Sequence, residues 1–128
     1  MNWSQKSFSH KVLSIFAPLL ILTGLLGFLT PPALSLMSGA TTYNIFHLVF
    51  GAVGLAILFS RNEDLISGFN ISFGAVDLYQ AIASSLHLFP ENFFHWTRVD
   101  DILHITLGVV LIAAGFFGKR RSFSYHRR

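Results

Sequence analysis

The chain has 128 residues, of which 52% are apolar and only 12% charged, with fourteen phenylalanines and no cysteine. Soluble domains carry about 25% charged residues, so this composition excludes an ordinary water-soluble fold. The lack of cysteine excludes disulfides, thiolate metal sites and a cysteine nucleophile. A net charge of +3 and a pI near 9.7 would suit a nucleic-acid surface, but five of the nine Lys/Arg lie in the last ten residues. That is the pattern of a membrane protein with a basic tail, and no nucleic-acid partner is expected.

Residues 1–11 are polar, and residues 12–29 form an uncharged apolar segment of eighteen residues. As a helix it would rise about 27 Å, enough to cross the hydrocarbon core of a bilayer. A signal peptide is the rival, since basic residues precede the segment and Ala33-Leu34-Ser35 resembles a cleavage site. The apolar core exceeds the usual signal length of about 7–15 residues, so a retained first helix is expected. Pro18 should kink it, Gly24-Leu25-Leu26-Gly27 offers a small-residue face to a neighbouring helix, and Pro31-Pro32 ends it.

A second helix is predicted over about 44–60 with Asn44 as its N-cap, followed by the polar turn 61–64. The third apolar segment, about 66–89, is interrupted by Asn70 and Asp77. It is either one long tilted span or a span beginning near Phe73. Residues 90–98 are aromatic-rich, a composition suited to the headgroup level. Asp101, or Asp100 before it, should cap a fourth helix over about 101–118, and a basic tail occupies 119–128. The fold expected is one all-α membrane domain over 1–128 with four transmembrane helices. Four spans with both termini inside place eight of the nine Lys/Arg inside and only Arg98 outside. This bias puts both ends in the cytoplasm of a bacterial inner membrane, or in the stroma of a thylakoid.

The chain repeats itself. Residues 44–59 and 101–116, 57 positions apart, share Ile45/Ile102, His47/His104, Gly51/Gly108, Val53/Val110, Ala56/Ala113 and Phe59/Phe116. Two tandem hairpins, related as parallel repeats, are the expected arrangement. Helices 1 and 3 match more weakly, by size or polarity only, at Gly24/Ala81, Gly27/Ser84 and Thr23/Gln80.

His47 and His104 are the candidate ligands, each with a glycine, Gly51 or Gly108, four residues on along the same helix face. The missing side chain could make room for a flat macrocycle, a haem or chlorophyll held by axial histidine. It could equally let another helix approach closely, or the histidine could reach back to its helix cap. A structural role is the expectation. Asp77, Gln80, Ser84 and His87 form a polar stripe on helix 3 that should face the bundle interior or another subunit. Hydrogen-bonded packing is the expected use of that stripe, and a proton or ion path from Asp77 to His87 is its functional rival. His47, His87 and His104, with His95 above, match no metal-ligand spacing, and no metal site is assigned. No Ser-His-Asp pattern, carboxylate pair or phosphate-binding loop is present, so no catalysis is expected.

The strings Tyr43-Asn-Ile-Phe-His47-Leu-Val-Phe-Gly51 and Asp101-Ile-Leu-His104-Ile-Thr-Leu-Gly108 resemble a bacterial family of small four-helix membrane proteins described only as a domain of unknown function. Gly24-Leu-Leu-Gly27-Phe28 and Phe73-Gly74 match it too, whereas Asp77 departs from its pattern. The resemblance covers all but the tails. It implies a four-helix membrane fold, no established activity, and a photosynthetic or respiratory complex as a setting. The expectation is therefore a non-catalytic accessory or structural subunit, with the bilayer and other membrane subunits as partners and no certain cofactor. A small haem or chlorophyll carrier is the alternative, and ion translocation through Asp77 the third.

Overall fold

Every long helix begins three or four residues earlier than apolar patterning indicates, because polar side chains and an aromatic occupy the first turns. The computed structural model describes residues 2–119. Helix α1 runs Phe8–Leu29 behind Ser7, whose hydroxyl accepts the His10 N–H at 2.9 Å. Helix α2 covers Thr41–Ser60. Helix α3, Glu63–Leu86, is capped by Asn62, whose side-chain Oδ1 accepts the N–H groups of Asp64 and Leu65. A single turn, α4 (Glu91–Phe94), precedes α5, Arg98–Phe117. No strand occurs among the described residues.

Both assigned caps move. Asn44 is not an N-cap: α2 starts behind Ala40, and Asn44 is buried in its first turn, donating to the Gly39 carbonyl at 3.1 Å. Asp101 does not cap α5 either. Thr97 does, in a reciprocal pair where Thr97 Oγ1 accepts the Asp100 N–H and the Asp100 carboxylate accepts the Thr97 N–H. A Thr-x-x-Asp box satisfies two helix N–H donors at once, which Asp101 alone would not. The third segment is one continuous helix through Phe73. The tail assigned to 119–128 lies, apart from Lys119, outside the described residues.

Three helices, α1, α2 and α5, are long and apolar enough to cross a membrane, the make-up of a multi-pass membrane protein. Helix α3 has comparable length, and its polarity is turned inward: Ser67, Asn70, Asp77 and Gln80 are all buried. Its outward face carries Leu65, Val76, Tyr79, Ile82 and Leu86.

The helices pack closely as two pairs, α1 with α2 and α3 with α5. Glycine makes this approach feasible. A Cβ on Gly51 would lie 2.5 Å from the Ile21 side chain and 3.1 Å from the Ala17 carbonyl oxygen. A Cβ on Gly108 would lie 2.8 Å from Leu78 and 2.9 Å from the Gly74 carbonyl oxygen. Each contacted residue of the second pair stands 57 positions after its counterpart in the first. The Gly24–Gly27 face is likewise used within the chain, against Leu48 and Asn44 of α2. Phe16 and Phe73 join the pairs at the centre, with ring centroids 5.6 Å apart.

One end of the bundle is tied by polar contacts. Asn70 Nδ2 donates to the Ser9 carbonyl at 3.0 Å and to its hydroxyl at 2.8 Å, and Ser9 N–H donates to the Gly118 carbonyl. Ser7 donates to Glu63, and Lys119 pairs with Asp64. The other end carries the segment 30–40 and α4.

Candidate functional site

Tyr43 and His47 are four residues apart on α2, and Asp100 and His104 stand at the corresponding positions of α5. Helical spacing stacks each pair on one face, and both faces turn inward at the α4 end. The phenol oxygen of Tyr43 lies 2.8 Å from His104 Nε2 and 3.4 Å from Asp100 Oδ1. The Tyr43 and His47 rings touch at 4.2 Å between centroids, tilted by 53°. The other Asp100 oxygen accepts the Ser38 N–H at 2.8 Å and the Thr97 N–H at 2.9 Å. Asp100 thus joins the α5 cap, the segment before α2 and the histidine network, and it is fully buried.

A second chain of hydrogen bonds comes from α3. Trp96 Nε1 donates to Gln80 Oε1 at 3.0 Å, and Gln80 Nε2 donates to Asp77 Oδ1 at 3.5 Å. Asp77 stands about 21 Å along α3 from its start. Both networks border one cavity of about 240 Å³. Its apolar walls are Phe16, Leu19 and Leu20 of α1, Phe46 of α2, Phe73 of α3, and Leu103 and Leu107 of α5, with Thr23 and Met37 completing it. His47 Nδ1, His104 Nδ1 and Asp77 Oδ2, on residues lining this space, are buried without a hydrogen-bond partner.

The two histidines, Asp77 and Gln80 therefore come together. Ser84 is half-buried and does not line the cavity. His87 leaves the stripe: the helix ends at Leu86, His87 adopts a left-handed conformation (φ 57°), and its side chain is 81% exposed, 3.9 Å from Glu91. His87 therefore stands apart from the buried Asp77 and Gln80. His95 is also exposed, and no group of three or more His, Asp or Glu among the described residues is placed to hold a metal ion.

A haem or chlorophyll does not fit. The space one turn beyond each imidazole is filled by Ile21 at Gly51 and Leu78 at Gly108, and Tyr43 occupies His104 Nε2. The cavity of about 240 Å³ lies below the 300–1,000 Å³ of drug-sized pockets and somewhat above the ~150 Å³ that admits benzene. It suits one substituted ring. Sequence reasoning missed Tyr43, Asp100 and Trp96 as site residues. The signal for the first two was the repeat itself, which aligns position 43 with position 100. No protein-family model matches this chain, nor does any curated protein or solved structure.

Proposed function

We propose that this is a four-span integral membrane protein of two tandem hairpins, with both ends in the cytoplasm or stroma, acting as a non-catalytic subunit that holds a small ligand in its central cavity. One observation carries the reading. Asp77, His47 and His104 each keep an unpartnered polar atom on a residue lining a single cavity, and such groups are costly inside a membrane unless something uses them. The tandem arrangement is supported by the cavity wall. Twelve of its fifteen residues form six pairs 57 positions apart: Phe16/Phe73, Leu20/Asp77, Thr23/Gln80, Tyr43/Asp100, Phe46/Leu103 and His47/His104. Ligand sites at repeat interfaces near the bilayer midplane are common in helical membrane proteins. Assembly with other membrane subunits draws support from the broad apolar exterior alone, since the small-residue faces are used within the chain.

Purified in mild detergent and then extracted with solvent, the protein should release a small molecule detectable by mass spectrometry. Asp77→Leu and His104→Phe should release at least tenfold less while keeping their helix content by circular dichroism. An extract of the unaltered protein containing only bulk lipid sinks the cavity reading. Topology is tested separately. With no native cysteine, each introduced thiol is unique. In intact cells, a membrane-impermeant maleimide should label Ala33→Cys and spare Ser4→Cys until the cells are opened. The reverse pattern inverts the topology.

A further inference from the structure

We infer that the cavity binds the ring of a lipid-borne para-quinone, taken up sideways from the membrane between α1 and α5; the inference rests on the ligand-holding reading above. The wall has two characters. The α1 side presents Phe16, Leu19 and Leu20 with Thr23 as its one polar group, whereas the α2, α3 and α5 sides set His47, Asp77 and His104 among apolar side chains of their own. A flat ring with oxygens at its edges and an aliphatic tail has both characters. A para-quinone also carries its two carbonyls on opposite edges, and the two imidazoles stand at repeat-equivalent positions on α2 and α5. Phe16, Phe46 and Phe73 supply faces and edges for the ring to pack against.

The Tyr43 phenol has one proton to give. Donated to His104 Nε2 at 2.8 Å, it leaves the neutral imidazole with its hydrogen on Nδ1, a donor for a quinone carbonyl. Donated to Asp100 Oδ1, it lets His104 Nε2–H donate to the phenol, and Nδ1 becomes an acceptor for a hydroquinone hydroxyl. The same site therefore accepts both oxidation states without moving a helix. Other classes match less well. A fatty acid would bring another carboxylate beside Asp77 and Asp100, and a single divalent cation finds no group of three ligands among the described residues. Entry is lateral because Leu19 lines the cavity while 49% exposed on the outer face, and α1 and α5 touch only sparsely beside half-buried Thr23, Leu103 and Leu107.

The test uses the full chain in lipid nanodiscs on a Trp3→Phe background. This leaves Trp96, hydrogen-bonded to the cavity residue Gln80, as the fluorophore. The probes are a decyl-substituted para-benzoquinone, which quenches indole on contact, and its hydroquinone as competitor. Saturable quenching is expected, with hydroquinone competing. His104→Phe should weaken quinone binding at least tenfold, and Leu19→Phe, which adds bulk at the entry without adding an indole, should slow its uptake at least tenfold. Asp100→Asn gives the sharper readout. Its amide NH2 would donate to Tyr43, send the phenol proton to His104 and fix Nδ1 as a donor, so hydroquinone competition should fall at least tenfold more than quinone binding does. Linear quenching, competition by decylammonium in place of hydroquinone, or equal loss of both probes in Asp100→Asn overturns the inference. A solvent extract holding a different bound small molecule would remove the quinone assignment and leave the cavity reading standing.

Discussion

Gly108→Val should cost the protein about 3 kcal/mol or more, because the added carbons have nowhere to go. A Cβ at this position would sit 2.9 Å from the Gly74 carbonyl oxygen, and a backbone atom cannot move aside as a flexible side chain can. Overfilling a packed interior costs about 1–3 kcal/mol when side chains can rearrange, so a backbone obstacle belongs at or above the top of that range. Gly74→Val should behave alike, since its Cβ would meet the Gly108 carbonyl oxygen at 2.9 Å and the Ile112 N at 3.1 Å. Gly68→Ala is the control. Nothing lies within 4 Å of a Cβ there, and replacing a helical glycine by alanine gains about 0.8–1 kcal/mol. Thermal unfolding followed by circular dichroism in detergent should show large drops for the first two variants and a rise for the third. A Gly108→Val protein as stable as the parent would mean that α3 and α5 do not approach as described.

The sequence showed the apolar segments and the internal repeat plainly, since both are statements about spacing. Helix starts were less legible, because hydropathy counts Ser7, Thr41 and Thr97 as loop residues whereas a helix uses them as caps or first-turn residues. Asn44 and Asp101 stood at the hydropathy boundary and so took the cap assignments. The actual cap of α5 lay one turn upstream, where a short Thr-x-x-Asp box is easily mistaken for loop. The histidines were visible because they are rare in apolar helices. Their partners were not: Tyr43 reads as part of an aromatic-rich chain, and Asp100 reads as one of two adjacent acids. Only the 57-residue offset, applied to positions 43 and 100 as well as to 47 and 104, would have assembled the four.

That offset also explains the uneven polarity of the cavity. Equivalent positions on α1 and α3 carry Leu20 and Asp77, or Thr23 and Gln80. The α1 positions carry one apolar residue and one hydroxyl, while the α3 positions carry a hydrogen-bonded pair reaching Trp96. Asp77 thus stands where a polar group borders the cavity. It also costs α3 the apolarity that marks the other three long helices as candidate spans.

Asp100→Ala should be the most damaging single change at the α4 end. The carboxylate accepts the Ser38 N–H at 2.8 Å, the Thr97 N–H at 2.9 Å and contacts the Tyr43 phenol at 3.4 Å, and no part of the residue is exposed. Alanine leaves two backbone donors without an acceptor, at about 1–3 kcal/mol each, and removes the negative charge from the α5 N-terminus, worth about 0.3–1 kcal/mol. Asparagine loses only the charge, because its carbonyl oxygen can take the place of the oxygen that receives both N–H groups. The alanine variant should therefore lose several times more stability than the asparagine variant. It should also free the segment 36–38, which Asp100 holds at Ser38 and Thr97 holds at the Leu36 carbonyl. Limited proteolysis in detergent should cut between residues 30 and 40 much faster in Asp100→Ala than in the parent, with Asp100→Asn close to the parent. Equal cleavage and equal unfolding temperatures for the two variants would show that charge alone matters at this position, and the carboxylate would then not be what fastens the segment before α2 to α5.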